Sequence, residues 1–275
     1  MSLGIDGPVV LAGAGKMGTA LMQGWLARGL APSSIIVQDP ALSAEAAELI
    51  RTSGIRAEAS IAHLDTAPSV IVVAVKPQVM DQVFPGLGKL AGPKTVVLSI
   101  AAGRSIASFE KHLLPGIAVV RAMPNTPAAI GRGMTGAVGN GHLTAQQRAT
   151  CDALLSAVGE IVWVKDEALI DAVTAVSGSG PAYVFFLAEC LAEAGRAAGL
   201  DGETANRLAR ATVSGAGELM HQSSSNAATL RQNVTSPGGT TAAALAVLMS
   251  EPNGLQRLMT EAVLAAKARG KELGQ

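Results

Sequence analysis

The sequence predicts an α/β chain in two parts, a doubly wound sheet over residues 1–166 and an all-α region over residues 167–275. Three observations carry this. A short apolar run, Val9-Val10-Leu11-Ala12, ends in Gly13-Ala14-Gly15-Lys16-Met17-Gly18, and the stretch from Met17 onward can be helical. Short β-branched runs then alternate with helical stretches as far as Val164. After Lys165-Asp166 the β signal disappears. The length agrees: 275 residues exceed the roughly 150-residue prior for one domain.

The glycine spacing suits a dinucleotide. Gly13 allows a tight turn, Gly15 lets the backbone approach a pyrophosphate, and Gly18 lets the new helix pack close to the strand. The free N–H groups at the head of that helix face the phosphates, aided by the helix dipole. Any glycine-rich strand-to-helix turn shares part of this pattern. Here it has a strand before it, a helix after it and an acidic residue, Asp39, about twenty residues further on. The first part therefore reads as a Rossmann-type dinucleotide-binding domain.

Composition narrows the alternatives. Hydrophobic residues make up 49% and charged residues 15%, enough for a core and too little charge for disorder. Net charge is zero with no basic run, so nucleic-acid binding has no electrostatic support. Cys151 and Cys190 lie outside any metal-ligand spacing and read as buried, reduced thiols, so no metal is expected. No cationic, apolar secretion signal precedes the first strand, and a cytoplasmic location is expected. The most apolar helix, Tyr183 to Leu200, is interrupted by Glu189, Glu193 and Arg196 and should not span a membrane.

The expected strands are Val9–Ala12, Ile35–Gln38, Ile55–Ala57, Val70–Val75, Val96–Ser99, Val119–Ala122, Met134–Val138 and Ile161–Val164. Several are continuous Val/Ile runs, the mark of strands covered on both faces. Helices are expected at 17–28, 44–51, 78–84, 106–113 and 145–157, the last opened by a capping box in Thr144-Ala145-Gln146-Gln147. Ligands of such a sheet bind at the carboxyl ends of the strands. Three ends look specialised. Ala74-Val75 leads into Lys76-Pro77, Ser99 into Ile100-Ala101-Ala102-Gly103, and Ala122 into the two-proline loop Met123-Pro124-Asn125-Thr126-Pro127. Each alone is also compatible with ordinary turn chemistry. Asp39 either hydrogen-bonds the adenosine ribose and repels a 2′-phosphate or opens a turn with Pro40; no Arg or Lys follows between Pro40 and Ile50. That favours NADH over NADPH.

In the second part a helix is expected at 167–175, then a break at Ser177-Gly178-Ser179-Gly180-Pro181, and a long helix from Pro181 to Ala198. Further helices are expected at 203–220, 227–232, 241–249 and 254–273. So apolar a helix as Tyr183–Leu191 must be buried nearly all round, against a second subunit or inside a self-contained bundle. The loop Asn233-Val234-Thr235-Ser236-Pro237-Gly238-Gly239-Thr240-Thr241 is a second candidate site: glycines and hydroxyls at the head of a helix suit a carboxylate, or simply a cap. No histidine falls in any of these motifs, and no lysine occurs between Asp166 and Ala266. A ketone acceptor would need such a proton donor; an iminium arrives already protonated.

At this point the sequence resembles the pyrroline-5-carboxylate reductases, from about Val9 to Leu273. The resemblance rests on Ala74-Val75-Lys76-Pro77-Gln78, Arg121-Ala122-Met123-Pro124-Asn125-Thr126-Pro127, Ala175-Val176-Ser177-Gly178-Ser179-Gly180-Pro181-Ala182-Tyr183-Val184-Phe185, and the 233–241 loop. It implies NAD(P)H-dependent reduction of the cyclic imine 1-pyrroline-5-carboxylate to L-proline, the last step of proline biosynthesis. It also implies a helical domain that interlocks into a homodimer or a larger homo-oligomer. The cofactor contacts it implies are Gly13, Ala14, Gly15, Lys16, Met17 and Gly18, with Ala74, Val75, Lys76, Pro77, Ile100, Ala101 and Ala102; Asp39 joins them from its position at the end of the second strand. Ser236 and the N–H groups of Gly239 and Thr240 would hold the substrate carboxylate, Thr241 the ring nitrogen, and Glu167 and Asn233 would line the pocket. The chain departs from the family at Ser223-Ser224-Ser225-Asn226-Ala227, where relatives often carry a Glu-His-Pro-like segment, and at Asp39, since many relatives favour NADPH. Two other readings compete. A 3-hydroxyacid dehydrogenase needs a lysine on the helix after the glycine-rich break, and Tyr183–Ala198 has none. A nicotinamide-sensing protein would bind cofactor without turnover.

Overall fold

The computed structural model describes residues 3–274. Among them, eight strands form one sheet in the order β3-β2-β1-β4-β5-β6-β7-β8. The strands are β1 Val9–Ala12, β2 Ile35–Gln38, β3 Arg56–Glu58, β4 Val70–Val73, β5 Val96–Ser99, β6 Ala118–Met123, β7 Gly133–Gly139 and β8 Gly159–Trp163. The order reverses between β1 and β4, which is where a sheet of this kind opens a crevice for a ligand. Strands β3 to β6 are parallel neighbours in this order, whereas β7 runs antiparallel to β6 and parallel to β8. The β6–β7 connection holds only a 3₁₀ turn at Thr126–Ile130, too short for the crossover that a parallel pair requires.

The helices of this part are α1 Lys16–Ala27, α2 Ala44–Ser53, α3 Met80–Gly88, α4 Ile106–Glu110 and α5 Ala145–Ser156. They cover both faces. Val9 and Leu11 of β1 pack with Trp25, Leu154 and Leu155, while Val10 and Ala12 pack on the other side with Phe84 and Phe109. Alternate residues of one strand thus enter two cores, which is why the strands read as unbroken Val/Ile runs. Trp25 donates its indole N–H to the carbonyl of Leu154 at 2.9 Å, tying α1 to α5. Trp163 donates to Asp152 Oδ1 at 2.7 Å and carries the Arg148 guanidinium over its ring. Thr144 and Gln147 form the expected capping box.

The chain continues through α6 Ile170–Val173, α7 Gly180–Ala197, α8 Gly202–Gln222, α9 Ala227–Asn233, α10 Thr240–Leu248 and α11 Leu255–Leu273. The break expected at 177–181 is instead a π-turn, Thr174–Gly178, through which the helical run passes with a bend at Ser179. Two compact units result among the described residues: 3–178 with 267–274, and 179–266. α6 belongs with the sheet because Ile170 is buried in its second core and the Val173 methyls fill the space left open at Gly136.

In the second unit α7 and α8 meet through small residues. Ala192, Ala205 and Ala209 are buried, and a Cβ on Gly195 would lie 3.3 Å from Ala205 Cβ. Asp201 caps α8, accepting the Thr204 N–H at 2.9 Å, and that bond holds its carboxyl below the ordinary value. Much apolar surface is left uncovered. No residue of α9, α10 or α11 is buried, and Phe185 and Phe186 are each 63% exposed. Among the described residues the run Glu167–Ala197 is long and apolar enough, by length and composition, to cross a membrane. The cysteines differ from expectation: burial pushes the Cys151 thiol up to about 12, but Cys190 is exposed on α7.

Candidate active site

The glycine turn joins β1 to α1 at the switch point. Gly13 has φ +93°, and a Cβ there would lie 2.8 Å from the Ala74 carbonyl carbon and oxygen and 2.9 Å from Val75 N. Only glycine lets the turn lie flat against the end of β4. A Cβ on Gly18 would run into the Gly13 carbonyl oxygen, so this glycine sets the closeness of α1 to the turn. Gly15 differs from both. It is exposed, caps α1 with extended backbone, and a Cβ on it would meet nothing within 4 Å. Nothing inside the chain requires glycine there.

Two N–H groups of the turn are already engaged. Gly13 donates to the Gln38 carbonyl at 2.9 Å, and Ala14 donates to Asp39 Oδ2 at 2.7 Å. Thr19 Oγ1 donates back to the Ala14 carbonyl at 3.1 Å. The N–H groups at the head of α1, from Lys16 to Gly18, have no intrahelical acceptor, and no acidic residue sits in the first turn to compete for them. Asp39 also accepts the Ala41 N–H on Oδ1 at 2.8 Å, so it does open the turn with Pro40. Each carboxylate oxygen keeps acceptor capacity for a further donor.

The neighbouring strand ends complete this rim. Ala74 and Val75 are half-buried, Lys76 is exposed, and Pro77 opens a 3₁₀ turn. Ile100 and Ala101 are buried beyond β5 while Ala102 is exposed. Arg104, which the motifs did not single out, joins the two loops: it donates to the Pro77 carbonyl at 2.8 Å and grips Asp81 with both terminal nitrogens. Glu167 Oε1 accepts the Ile106 N–H at 2.8 Å and Arg121 Nη1 at 3.0 Å, and Arg121 Nη2 lies 3.6 Å from Asp171. Glu167 is thus fastened to β6 and to the head of α4, with Oε2 left for another donor. The signal for its partner was a charged residue, Arg121, inside an apolar strand.

The second candidate site lies in the other unit. Gly238 has φ +70°, and the turn is closed by Gly239 donating to the Ser236 carbonyl at 3.1 Å. A Cβ on Gly239 would lie 2.5 Å from Ser236 Oγ, so this glycine makes room for the hydroxyl. Its own N–H is taken, and the N–H groups without an intrahelical acceptor begin at Thr240, the first residue of α10. The N-cap is Gly239 with no side-chain cap bond, and Thr241 is half-buried one residue inside the helix. Asn233 and Ser236 are exposed, and Asn233 ends α9. In the divergent 223–227 segment, Asn226 caps α9 by accepting the Thr229 N–H at 2.9 Å.

Known proteins share this plan. Residues 8–103 match the family model described as NADP oxidoreductase coenzyme F420-dependent, and residues 167–273 match pyrroline-5-carboxylate reductase dimerisation. With the glycine turn at the switch point, these set the class: a dinucleotide-binding oxidoreductase with a helical dimerisation region. A pyrroline-5-carboxylate reductase of Pseudomonas aeruginosa is 40% identical over 267 residues, covering 97% of each chain. The solved pyrroline-5-carboxylate reductase of Coxiella burnetii is 34% identical with a TM-score of 0.91, covering 98% of this chain and 100% of that one. That of Plasmodium falciparum, with NADP bound, is 28% identical with a TM-score of 0.79 over 98% and 99% of the chains. The chain belongs to the pyrroline-5-carboxylate reductase family.

Proposed function

We propose that the chain reduces 1-pyrroline-5-carboxylate to L-proline with NAD(P)H, as a cytoplasmic homo-oligomer. The observation that carries the activity is the 40% identity to a pyrroline-5-carboxylate reductase along 97% of both chains. Oxidation of NADH and NADPH followed at 340 nm with 1-pyrroline-5-carboxylate tests it. Turnover with the imine is expected, and none in the reverse direction with 3-hydroxyisobutyrate. Cofactor binding without turnover of either compound would overturn the proposal in favour of a sensing role.

The first-unit rim fits the dinucleotide. The exposed Gly15 and the N–H groups of Lys16, Met17 and Gly18 meet the pyrophosphate, Gly13 and Ala14 shape the turn, and Asp39 faces the adenosine ribose. Ala74, Val75, Lys76 and Pro77, then Ile100, Ala101 and Ala102, flank the nicotinamide half. NAD(P)H supplies the hydride. Asp39 and the absence of a cation between Pro40 and Ile50 favour appreciable NADH use. Asp39→Ser combined with Ala41→Arg should shift kcat/KM toward NADPH by about tenfold or more, since each charge-assisted hydrogen bond to the 2′-phosphate is worth about 1.5–3 kcal/mol. A hundredfold NADPH preference in the unaltered protein would exclude Asp39 from the ribose.

On the substrate side, the Ser236 hydroxyl and the N–H of Thr240 hold the carboxylate, with Gly239 giving Ser236 its space. Asn233 adds polar lining, and Thr241 hydrogen-bonds the ring nitrogen. An iminium needs no proton from the protein before reduction, so a hydroxyl suffices where a ketone would call for His or Lys.

The exposed apolar surface of α7 and of the helices after it becomes a subunit interface rather than a membrane face. Glu189, Glu193 and Arg196 punctuate α7, and Arg196 pairs with Glu193 at 3.0 Å. Phe186→Asp places a charge in that surface and should convert the assembly to monomers, read by size exclusion with light scattering. A full-length monomer, folded and active at micromolar concentration before any substitution, would refute the oligomer.

A further inference from the structure

The loop after β6 and the π-turn before α7 are locked together by one side chain. Asn125 Oδ1 accepts the Met134 N–H at 2.8 Å, while Nδ2 donates to the Ser177 carbonyl at 3.1 Å and to Ser177 Oγ at 3.2 Å. Ser177 Oγ donates in turn to the Met134 carbonyl at 3.4 Å, closing a ring of contacts among Asn125, Met134 and Ser177. The need for it follows from the sequence. Four residues beyond Ser177 stands Pro181, which has no N–H, so the Ser177 carbonyl has no α-helical donor. Asn125 supplies that donor from another element. The fit is close at the next residue too: a Cβ on Gly178 would lie 2.9 Å from Met123 Cε.

We propose that Asn125 is a positioning residue of the reductase, clamping the loop Met123–Pro127 to the π-turn Thr174–Gly178 so that the loop is a fixed wall at the nicotinamide end of the crevice. This rests on the function proposed above. β6 lies beside β5 and parallel to it, so the loop leaving Met123 borders the Ile100–Ala102 segment on the side away from Asp39 and the adenosine. A turn joining β6 to β7 needs no such bracing for its own sake, since Pro124 and Pro127 already stiffen it. π-turns recur at functional sites, where they re-aim the groups that follow. Hydride transfer depends on how the acceptor carbon meets the nicotinamide, and a displacement of ~1 Å can cost about 100-fold in rate.

The test compares Asn125→Ala, Asn125→Asp and Ser177→Ala with the unaltered protein, measuring kcat, KM for NAD(P)H and melting temperature. Asn125→Asp keeps the acceptor for Met134 but loses both donors to Ser177. It and Asn125→Ala should lower kcat by about 10- to 100-fold with KM for NAD(P)H within about threefold of normal. Ser177→Ala keeps the carbonyl acceptor for Asn125 and loses only the Oγ contacts to Asn125 and to the Met134 carbonyl; its kcat should fall less than about tenfold. Lowered melting temperatures with unchanged kcat across the set would overturn the clamp, as would Asn125→Asp with the kcat of the unaltered protein. If the unaltered protein does not turn over the imine, it is the proposed function that fails; an active parent with indifferent variants removes only the role of Asn125.

Discussion

Thr241→Ala is expected to lower kcat by roughly 10- to 1000-fold, toward the smaller loss because water can partly replace a lost hydroxyl. Affinity for NAD(P)H should hardly change, since the pyrophosphate turn belongs to the other unit. The alternative role for this residue, capping its helix, has little geometric basis. Gly239 is the N-cap of α10, no side chain caps it, and Thr241 stands inside the first turn. The melting temperature of Thr241→Ala should therefore stay close to normal, where loss of a cap would cost ~1 kcal/mol. Thr241→Ser keeps the hydroxyl and should keep most activity. Ser236→Ala should raise KM with less effect on kcat, because the carboxylate contact proposed for it would be made equally in the ground and transition states. Steady-state kinetics beside a thermal melt decides. A destabilised Thr241→Ala protein with normal kcat would take the residue out of the mechanism.

The second large effect belongs to the glycine turn, where two neighbouring glycines should fail in different ways. Gly13→Ala places a Cβ against the Ala74 carbonyl at 2.8 Å in a backbone with φ +93°, so strain and overpacking coincide. Together these cost about 2–6 kcal/mol of stability. The displaced turn should also bind NAD(P)H about 10- to 100-fold more weakly, the loss of one or two charge-assisted contacts. Gly15→Ala meets nothing inside the chain and has φ −69°, open to any residue. It should melt normally and still lose cofactor affinity. Normal NAD(P)H binding by Gly15→Ala, titrated by nucleotide fluorescence, would show that the pyrophosphate lies elsewhere.

Much of the sheet was legible in the sequence because its physics is local. β1, β2 and β5 have the expected bounds, each a buried four-residue strand whose first three residues are apolar. The Thr144 box marked the start of α5 without any packing information. Other features depend on distant partners. β4 stops at Val73 rather than Val75, where Ala74 and Val75 press against Gly13. Ser, Gly and Pro at 177–181 read as a break, yet the helical run continues because Asn125, 52 residues earlier, satisfies the carbonyl that Pro181 leaves bare. The resemblance implied Glu167 as pocket lining and gave it no partner; its tie to Arg121 spans 46 residues and exists only in the folded sheet. The resemblance also implied the Gly239 N–H as a carboxylate ligand, while the turn that creates the loop engages it with the Ser236 carbonyl.

The placement of the two tryptophans makes the molecule a selective optical reporter. Trp25 is fully buried between α1 and α5, Trp163 is pinned by Asp152, and both belong to the sheet-containing unit. Indole emission therefore follows the melting of that unit alone, whereas far-ultraviolet circular dichroism is weighted toward the long helices of the other. Recorded on one sample, two coincident curves mean that the units unfold as one cooperative body. A dichroism transition preceding the emission change means that the helical unit melts first. Under the proposed assembly, dilution should then draw the curves apart, and energy transfer from indole to bound NADH would register whether the surviving sheet still holds its cofactor.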